Sequence, residues 1–197
     1  MIWKYLDIRK YTNSEYLAAY QNLDDIKRAR VERTRQRKDR LRTVLADDLA
    51  RRMLGEAMRC APEAVRFVYA ENGKPSVVGS GYEFSITHSD DIVAVAIHEG
   101  PIGIDAERIR EVSPRLAKKY FCDEENFYVF GHEPRDIDFE HMASPDVRMR
   151  FFEIWTAKEA YLKRLGEGLS HLRTVNTTRY PFERHIIGNE YLVTIYY

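Results

Sequence analysis

The hydrophobic period of this chain changes from two to helical and back, and then does so again. It never settles into the regular strand–helix–strand alternation of a parallel sheet with crossover helices. Ile2-Trp-Lys-Tyr-Leu-Asp-Ile8 alternates as a strand does. From about Asn13 to Met58 the spacing predicts two helices. In the second, Leu41, Val44, Leu45, Leu49, Met53 and Met58 form an apolar stripe flanked by arginines, and Pro62 marks the end of this stretch. Strands are predicted over Val65–Ala70, Glu83–Thr87, Ile92–Ile97 and Ile102–Glu107, with turns at Glu71–Pro75, His88–Asp91 and Glu99–Pro101. Ser113-Pro114 reads as a helix start, Gly131–Pro145 as a polar loop, and Asp146 to about Leu165 as the strongest helix. Gly166-Glu-Gly168 ends that helix, and Glu190–Tyr196 is the closing strand. This order predicts an α+β fold divided near Gly100 into halves 1–100 and 101–197. Each half has one long helix and would leave an apolar sheet face open alone, so one globular unit is expected.

Charge narrows the function classes. The 197 residues carry 31 lysines and arginines against 31 aspartates and glutamates, which argues against a surface that as a whole seeks nucleic acid or anionic lipid. The longest apolar run, Ile92–Ile97, is far short of the roughly 20 residues a bilayer requires. The first residues have no apolar core of secretion-signal length, and Cys60 and Cys122 form no disulfide framework or ligand pair. A soluble cytoplasmic protein is expected.

Three clusters could carry chemistry. Asp105 and Glu107 stand two apart on a predicted strand, so both carboxylates leave the same face. Such a pair repels itself and is stabilised by a divalent cation, typically magnesium, although a solvated strand end has the same pattern. The helix ending at Lys163 joins an apolar face to Lys158, Glu159 and Lys163. Glu159 and Lys163, four apart, read either as a helix-stabilising pair or as a third cation ligand or base among phosphate-holding lysines. His88, before a polar turn, is either a structural histidine or part of a phosphate site with Gly73-Lys74-Pro75. Between Lys27 and Arg42, nine basic residues face only Glu32 and Asp39. That run reads as a solvated helix face, a nucleic-acid patch or a site for a compact polyphosphate. It contains no aromatic residue on which single-stranded bases could stack.

In order along the chain, Gly73-Lys-Pro75, Phe84-Ser-Ile-Thr-His-Ser89, Ile102-Gly-Ile-Asp-Ala-Glu107, Trp155-Thr-Ala-Lys-Glu-Ala-Tyr-Leu-Lys163 and Gly166-Glu-Gly-Leu169 appear. Together they resemble the 4′-phosphopantetheinyl transferases, in particular the surfactin-synthetase-activating type, from about Lys27 to Leu169. The resemblance implies a pseudo-twofold monomer of two related α+β halves, with coenzyme A as substrate in the cleft between them. It implies magnesium-dependent transfer of the phosphopantetheine arm to a serine of an acyl or peptidyl carrier protein, with adenosine 3′,5′-bisphosphate released. Carried over residue by residue, Asp105, Glu107 and Glu159 would hold magnesium, and Glu159 would take the serine proton. Lys163 would stabilise the transition state, with Lys158 also near the phosphates. Thr87 and His88 would contact the nucleotide phosphates, Gly73, Lys74 and Pro75 would lie beside the adenine and 3′-phosphate, and Arg42 would bind the 3′-phosphate with help from Lys27 and Arg30.

Some positions depart from the family pattern. Ala106 replaces a bulkier residue between the paired acids, Thr87 replaces a serine and keeps the hydroxyl, and Leu41 stands where relatives often have a histidine. Phe127–Pro145 matches no family feature and falls where the family meets its carrier, so the carrier's pathway is not carried over. Two other readings remain: a nucleic-acid-binding module built on Lys27–Arg42, and a magnesium phosphodiesterase acting on coenzyme A or another nucleotide. No membrane or nucleic-acid partner is expected under the transferase reading.

Overall fold

A computed structural model describes residues 1–70, 73–113, 115–132, 144–167 and 169–197, without the side chains of 169–171. The first two positions of the predicted 71–75 turn, Pro114 of the helix start, most of the 131–145 loop and Gly168 lie outside the described residues. The chain divides into two compact units, Met1–Ile102 with Tyr197, and Gly103–Tyr196. Both follow one plan, and the fold is α+β as expected.

In the first unit, β1 (Ile2–Asp7) pairs antiparallel with β5 (Ile92–His98), which pairs with β4 (Glu83–Ser89), giving the order β1-β5-β4. A small hairpin of β2 (Phe67–Tyr69) and β3 (Pro75–Val77) stands apart. In the second unit, β6 (Gly103–Arg108) pairs with β8 (Tyr191–Tyr196), which pairs with β7 (Glu183–Ile187), giving β6-β8-β7. Each unit thus opens with a strand, runs through helices, and closes with a hairpin whose last strand returns to the first.

Three helices, not the two predicted, occupy the first unit: α1 (Asn13–Gln21), α2 (Asp25–Arg33) and α3 (Arg37–Met58). The breaks fall at Asp24 and at Thr34–Gln36, where the backbone is extended. Thr12 and Glu15 form a reciprocal capping box at the start of α1, and Asp24 accepts from the Lys27 amide to start α2. A sequence pattern with apolar residues at helical spacing on both sides of such caps reads as continuous. α3 ends at Arg59, which adopts left-handed φ 56°, before Pro62 is reached. One stripe of α3, including Leu49, Met53 and Leu54, packs on Phe84, Val95 and Ile97 of the sheet. Another, including Val44 and Leu45, packs with Ala19, Leu23 and Val31 of the helical layer. Within β5 every residue from Ile92 to Ile97 is buried.

The second unit holds α4 (Arg115–Tyr120), α5 (Asp123–Phe130) and α6 (Pro145–Leu165). Phe121, Val129, Phe130, Phe151, Phe152 and Ile154 form its core with Leu192 of β8. Helix α6 lies across β6 and β8. At Gly103 its backbone leaves no room for a side chain: a Cβ there would sit 1.8 Å from the Ala160 carbonyl oxygen and 2.7 Å from the Arg164 nitrogen. Elements α5, β3 and β7 were not expected from sequence. α5 is eight residues long and opens on three acidic residues, while β3 and β7 are short and mixed in polarity. Among the described residues no helix is long and apolar enough to cross a membrane.

Gly103→Ala is expected to destabilise the protein by about 3 kcal/mol, since backbone rather than a flexible side chain must move. Urea denaturation measures this; a change below about 1 kcal/mol would show that α6 is not seated on β6 at this point.

Candidate functional site

Strand alternation puts Gly103, Asp105 and Glu107 on one face of β6. Because Gly103 admits the α6 backbone, Asp105 comes within reach of the helix, and Ala157 and Ala160, both fully buried, keep that face of α6 slim. Lys163, one turn after Glu159, donates from Nζ to Asp105 Oδ1 at 2.6 Å and to the Ile104 carbonyl at 3.2 Å. The ion pair therefore crosses from helix to strand and goes beyond the simple Glu159–Lys163 helix pair that spacing alone allows. Opposite Asp105 on β8, Thr194 shares a buried hydrogen bond of 2.6 Å with Thr156 of α6, which ties the helix to the sheet beneath the acid.

Glu159 is partly buried. Burial and then the Asp105 carboxylate push its pKa up to about 7, Lys163 opposes the shift, and Glu107 adds to it. Asp105 and Glu107 thus both act electrostatically on Glu159. As hard oxygen donors, the three suit a divalent cation such as magnesium. Among the described residues, no three histidine, cysteine or acidic side chains are gathered tightly enough to form a metal cluster, and the cation in contact with Asp105 is the Lys163 ammonium.

Lys158 corrects the sequence expectation. Its ammonium is fully buried, pairs with Glu125 Oε2 at 2.7 Å, and donates to the carbonyls of Leu172 and Val175, each at 2.5 Å. Glu125 Oε1 in turn accepts from the Thr177 amide at 2.8 Å and the Thr177 hydroxyl at 2.7 Å. An α-helix turns about 100° per residue, so neighbours Lys158 and Glu159 project in different directions. Only the second faces the acids of β6, and Lys158 is an internal clamp, not a phosphate contact.

In the first unit, Arg42 of α3 donates Nε and Nη2 to the Asp90 carbonyl at 2.8 and 2.5 Å, and Nη1 to Asp39 Oδ1 at 2.7 Å. Lys38 pairs with Asp90 and with Asp91. Together they hold the turn between β4 and β5, where Asp90 takes φ 45°. The predicted His88–Asp91 turn is shorter than expected, because His88 and Ser89 belong to β4. His88 is exposed, while Thr87 is only 4% exposed, so strand alternation separates the side chains that the sequence had paired. The carbonyl that Arg42 holds belongs to Asp90, two residues after His88.

Gly73, at φ 81°, closes the β2–β3 turn with its amide on the Ala70 carbonyl at 2.8 Å, a backbone that glycine adopts at low cost. Lys74 pairs with Glu83 at 3.5 Å, and Pro75 begins β3. Lys27 is partly buried, with its ammonium 6.0 Å from the Tyr69 ring; burial lowers its pKa while Asp47 opposes the shift. Arg30 is exposed on α2. Beneath them Arg51 donates to Asp47 Oδ2 and to the Val65 carbonyl, both at 2.6 Å, and Tyr69 donates to Asp24 Oδ2 at 2.7 Å. This network joins α2, α3 and β2.

Sequence reasoning missed Gly103, Glu125 and the Asp47–Arg51 pair. Spacing of four on a helix signals the last pair, and Cys122-Asp-Glu-Glu125 carries the three-residue offset of a capping box. No local pattern reveals Gly103, whose constraint comes from a helix more than fifty positions away in sequence.

A family profile described as the 4′-phosphopantetheinyl transferase superfamily matches residues 101–192, and one described as the N-terminal part of 4′-phosphopantetheinyl transferase matches residues 10–100. The chain is 36% identical over 132 residues to the 4′-phosphopantetheinyl transferase gsp of Aneurinibacillus migulanus, covering 67% of this chain and 51% of the relative. It is 30% identical over 145 residues to Sfp of Bacillus subtilis (strain 168), covering 73% and 60%. It is 31% identical over 176 residues to HetI of Nostoc sp. (strain PCC 7120 / SAG 25.82 / UTEX 2576), covering 85% and 68%. The chain spans between about half and two thirds of the length of these relatives.

Removing one partner of a buried ion pair typically costs about 3–5 kcal/mol, because the other charge is left without compensation. Lys158→Met is expected to lose about that much stability in urea denaturation, and Lys158→Met/Glu125→Gln to recover part of it. With Glu125→Gln measured as well, additive losses in the double variant would show that the two groups do not interact.

Proposed function

Because the chain belongs to the 4′-phosphopantetheinyl transferases, we propose that it moves the phosphopantetheine arm of coenzyme A to a serine of an acyl or peptidyl carrier protein. The observation that carries this reading is the convergence of Lys163 from α6 on Asp105 of β6, with Glu159 in the field of the same acid. In the reaction the serine oxygen attacks the β-phosphorus of coenzyme A. A new P–O bond to serine forms, the bond to the nucleotide phosphate breaks, and adenosine 3′,5′-bisphosphate leaves.

Asp105, Glu107 and Glu159 are the residues that would hold magnesium, which when bound would neutralise charge on the pyrophosphate and its leaving group. Glu159, directly or through a water, accepts the serine proton. Lys163 supplies an ammonium held by its donation to the Ile104 carbonyl, so it can also donate to a phosphate oxygen as negative charge grows there. Lys158 acts at one remove, by fixing the rotation of α6 that presents Glu159 and Lys163.

The nucleotide end of coenzyme A is assigned to the first unit. Arg42 binds the 3′-phosphate by exchanging its Asp39 contact for the ligand while its bonds to the Asp90 carbonyl keep it in place. His88, exposed on β4, donates to a phosphate. Gly73, Lys74 and Pro75 lie beside the adenine, and Lys27 and Arg30 add positive charge. Thr87, with its side chain buried, is not part of this contact set.

The test is intact-protein mass spectrometry of an apo carrier protein incubated with this protein, coenzyme A and magnesium. A gain of one phosphopantetheine is expected, and none with the magnesium chelated. Glu159→Gln should slow labelling at least about 100-fold, the usual range for losing a positioned acid–base group. Labelling by that variant at the unaltered rate would sink the assignment. Arg42→Ala should raise the KM for coenzyme A far more than it lowers kcat.

A further inference from the structure

Among the described residues the β2–β3 hairpin pairs with no other strand, and a two-stranded hairpin is marginal by itself. Its place in the first unit is therefore set by side chains. At its base, Val65, Phe67 and Val77 join the apolar cluster of α3, and the Phe67 ring stacks on Phe84 with centroids 4.9 Å apart. Arg51 adds a guanidinium 4.6 Å from the Phe67 ring, beside its bond to the Val65 carbonyl. All of these holds lie at the end away from the Gly73 turn.

The turn end has a different tether. Tyr69 is the last residue of β2 and stands directly opposite Pro75. Its hydroxyl donates to Asp24 Oδ2 at 2.7 Å, a bond strengthened by the charge of the acceptor. Burial and then that bond raise the phenol's pKa, so the hydroxyl keeps its proton and remains the donor.

Asp24 uses its other oxygen on α2. Oδ1 accepts from the Lys27 amide at 2.8 Å as the N-cap of that helix. Arg51 Nη2 lies 3.6 Å from Oδ2, and Arg51 is itself fixed by Asp47. One carboxylate thus ties the start of α2, which carries Lys27 and Arg30, to the strand end that leads into Gly73-Lys74-Pro75. The Tyr69 ring makes a second link, since the Lys27 ammonium stands 6.0 Å from its centroid, within the range at which a ring attracts a cation.

We propose that Tyr69 and Asp24 are positioning residues for the nucleotide end of coenzyme A. Their hydrogen bond holds the Gly73-Lys74-Pro75 turn in register with Lys27 and Arg30, so that both sides of the nucleotide site are in place before the substrate arrives. Without it, binding would have to order the tip of the hairpin as well.

Isothermal titration with adenosine 3′,5′-bisphosphate, together with the kinetics of carrier labelling, tests this. Tyr69→Phe keeps the ring and its packing and removes only the hydroxyl. Asp24→Ser keeps a good helix cap on a side chain too short to reach the phenol. Each variant is expected to bind the bisphosphate about fivefold more weakly and to raise the KM for coenzyme A by the same factor, with kcat changed less than about twofold. The double variant should be no weaker than either single one, because both substitutions remove the same bond. Unaltered affinity in Tyr69→Phe would overturn the proposal, and so would additive losses in the double variant. A fall in kcat as large as the rise in KM would also overturn it, by showing a general loosening of the fold. The positioning role rests on the transferase reading, and the two fail differently. An unaltered protein that labels no carrier and binds no bisphosphate removes both. One that does both, beside a Tyr69→Phe variant that behaves identically, removes the positioning role alone.

Discussion

The seating of α6 on β6 at Gly103 is the contact from which the chemistry of the second unit follows. Side chains on a strand alternate, so whatever passes over Gly103 also passes over Asp105 and Glu107. The helix backbone reaches the strand there because residue 103 has no Cβ and because Ala157 and Ala160 keep the helix face narrow. One turn later Lys163 meets Asp105. A bulkier residue at 103 would lift the helix from the strand and part the lysine from the acid.

A second device recurs in both units. The long helix of each carries one buried cation that pairs with a buried acid and donates to a carbonyl in the segment beyond the helix. In the first unit Arg51 pairs with Asp47 and reaches Val65, fourteen residues on. In the second Lys158 pairs with Glu125 and reaches Leu172, also fourteen residues on. Buried pairs often add little net stability, since desolvation offsets their attraction. Here each pair fixes the rotation of a helix that presents the groups proposed for the reaction, Arg42 on one and Glu159 and Lys163 on the other. Together with the shared strand orders β1-β5-β4 and β6-β8-β7, this makes the halves variations on one plan. They have diverged in charge: β6 carries two acids on one face, whereas β1 has only Asp7.

Much of the site was legible because its residues lie close together along the chain or on one element. Asp105 and Glu107 declare a shared face by spacing alone, and Glu159 and Lys163 declare a shared turn. What spacing could not give was direction around the helix. Lys158 sits beside Glu159 in sequence and looks equally available to a phosphate, yet α5 and the segment beyond α6 surround it. Thr87 and His88 are likewise neighbours that the pleat sends to opposite faces. The division of Asn13–Met58 into three helices depended on the cap at Asp24 and the extended backbone at Thr34 and Gln36, which interrupt a pattern that apolar periodicity reads as continuous.

The sequence by itself determined the α+β class, the long helices and most strands, because hydrophobic period and turn residues act over a few positions. It also contained the ordered motifs that mark the family. The tertiary structure alone decided which charged groups meet and which are spent inside the protein. Lys163 reaches Asp105 across 58 positions, and Lys158 is withdrawn into an internal clamp. Those outcomes depend on how closely one backbone approaches another and on which face each helix turns inward. Both are set by packing between segments far apart in the chain, and local periodicity does not encode them.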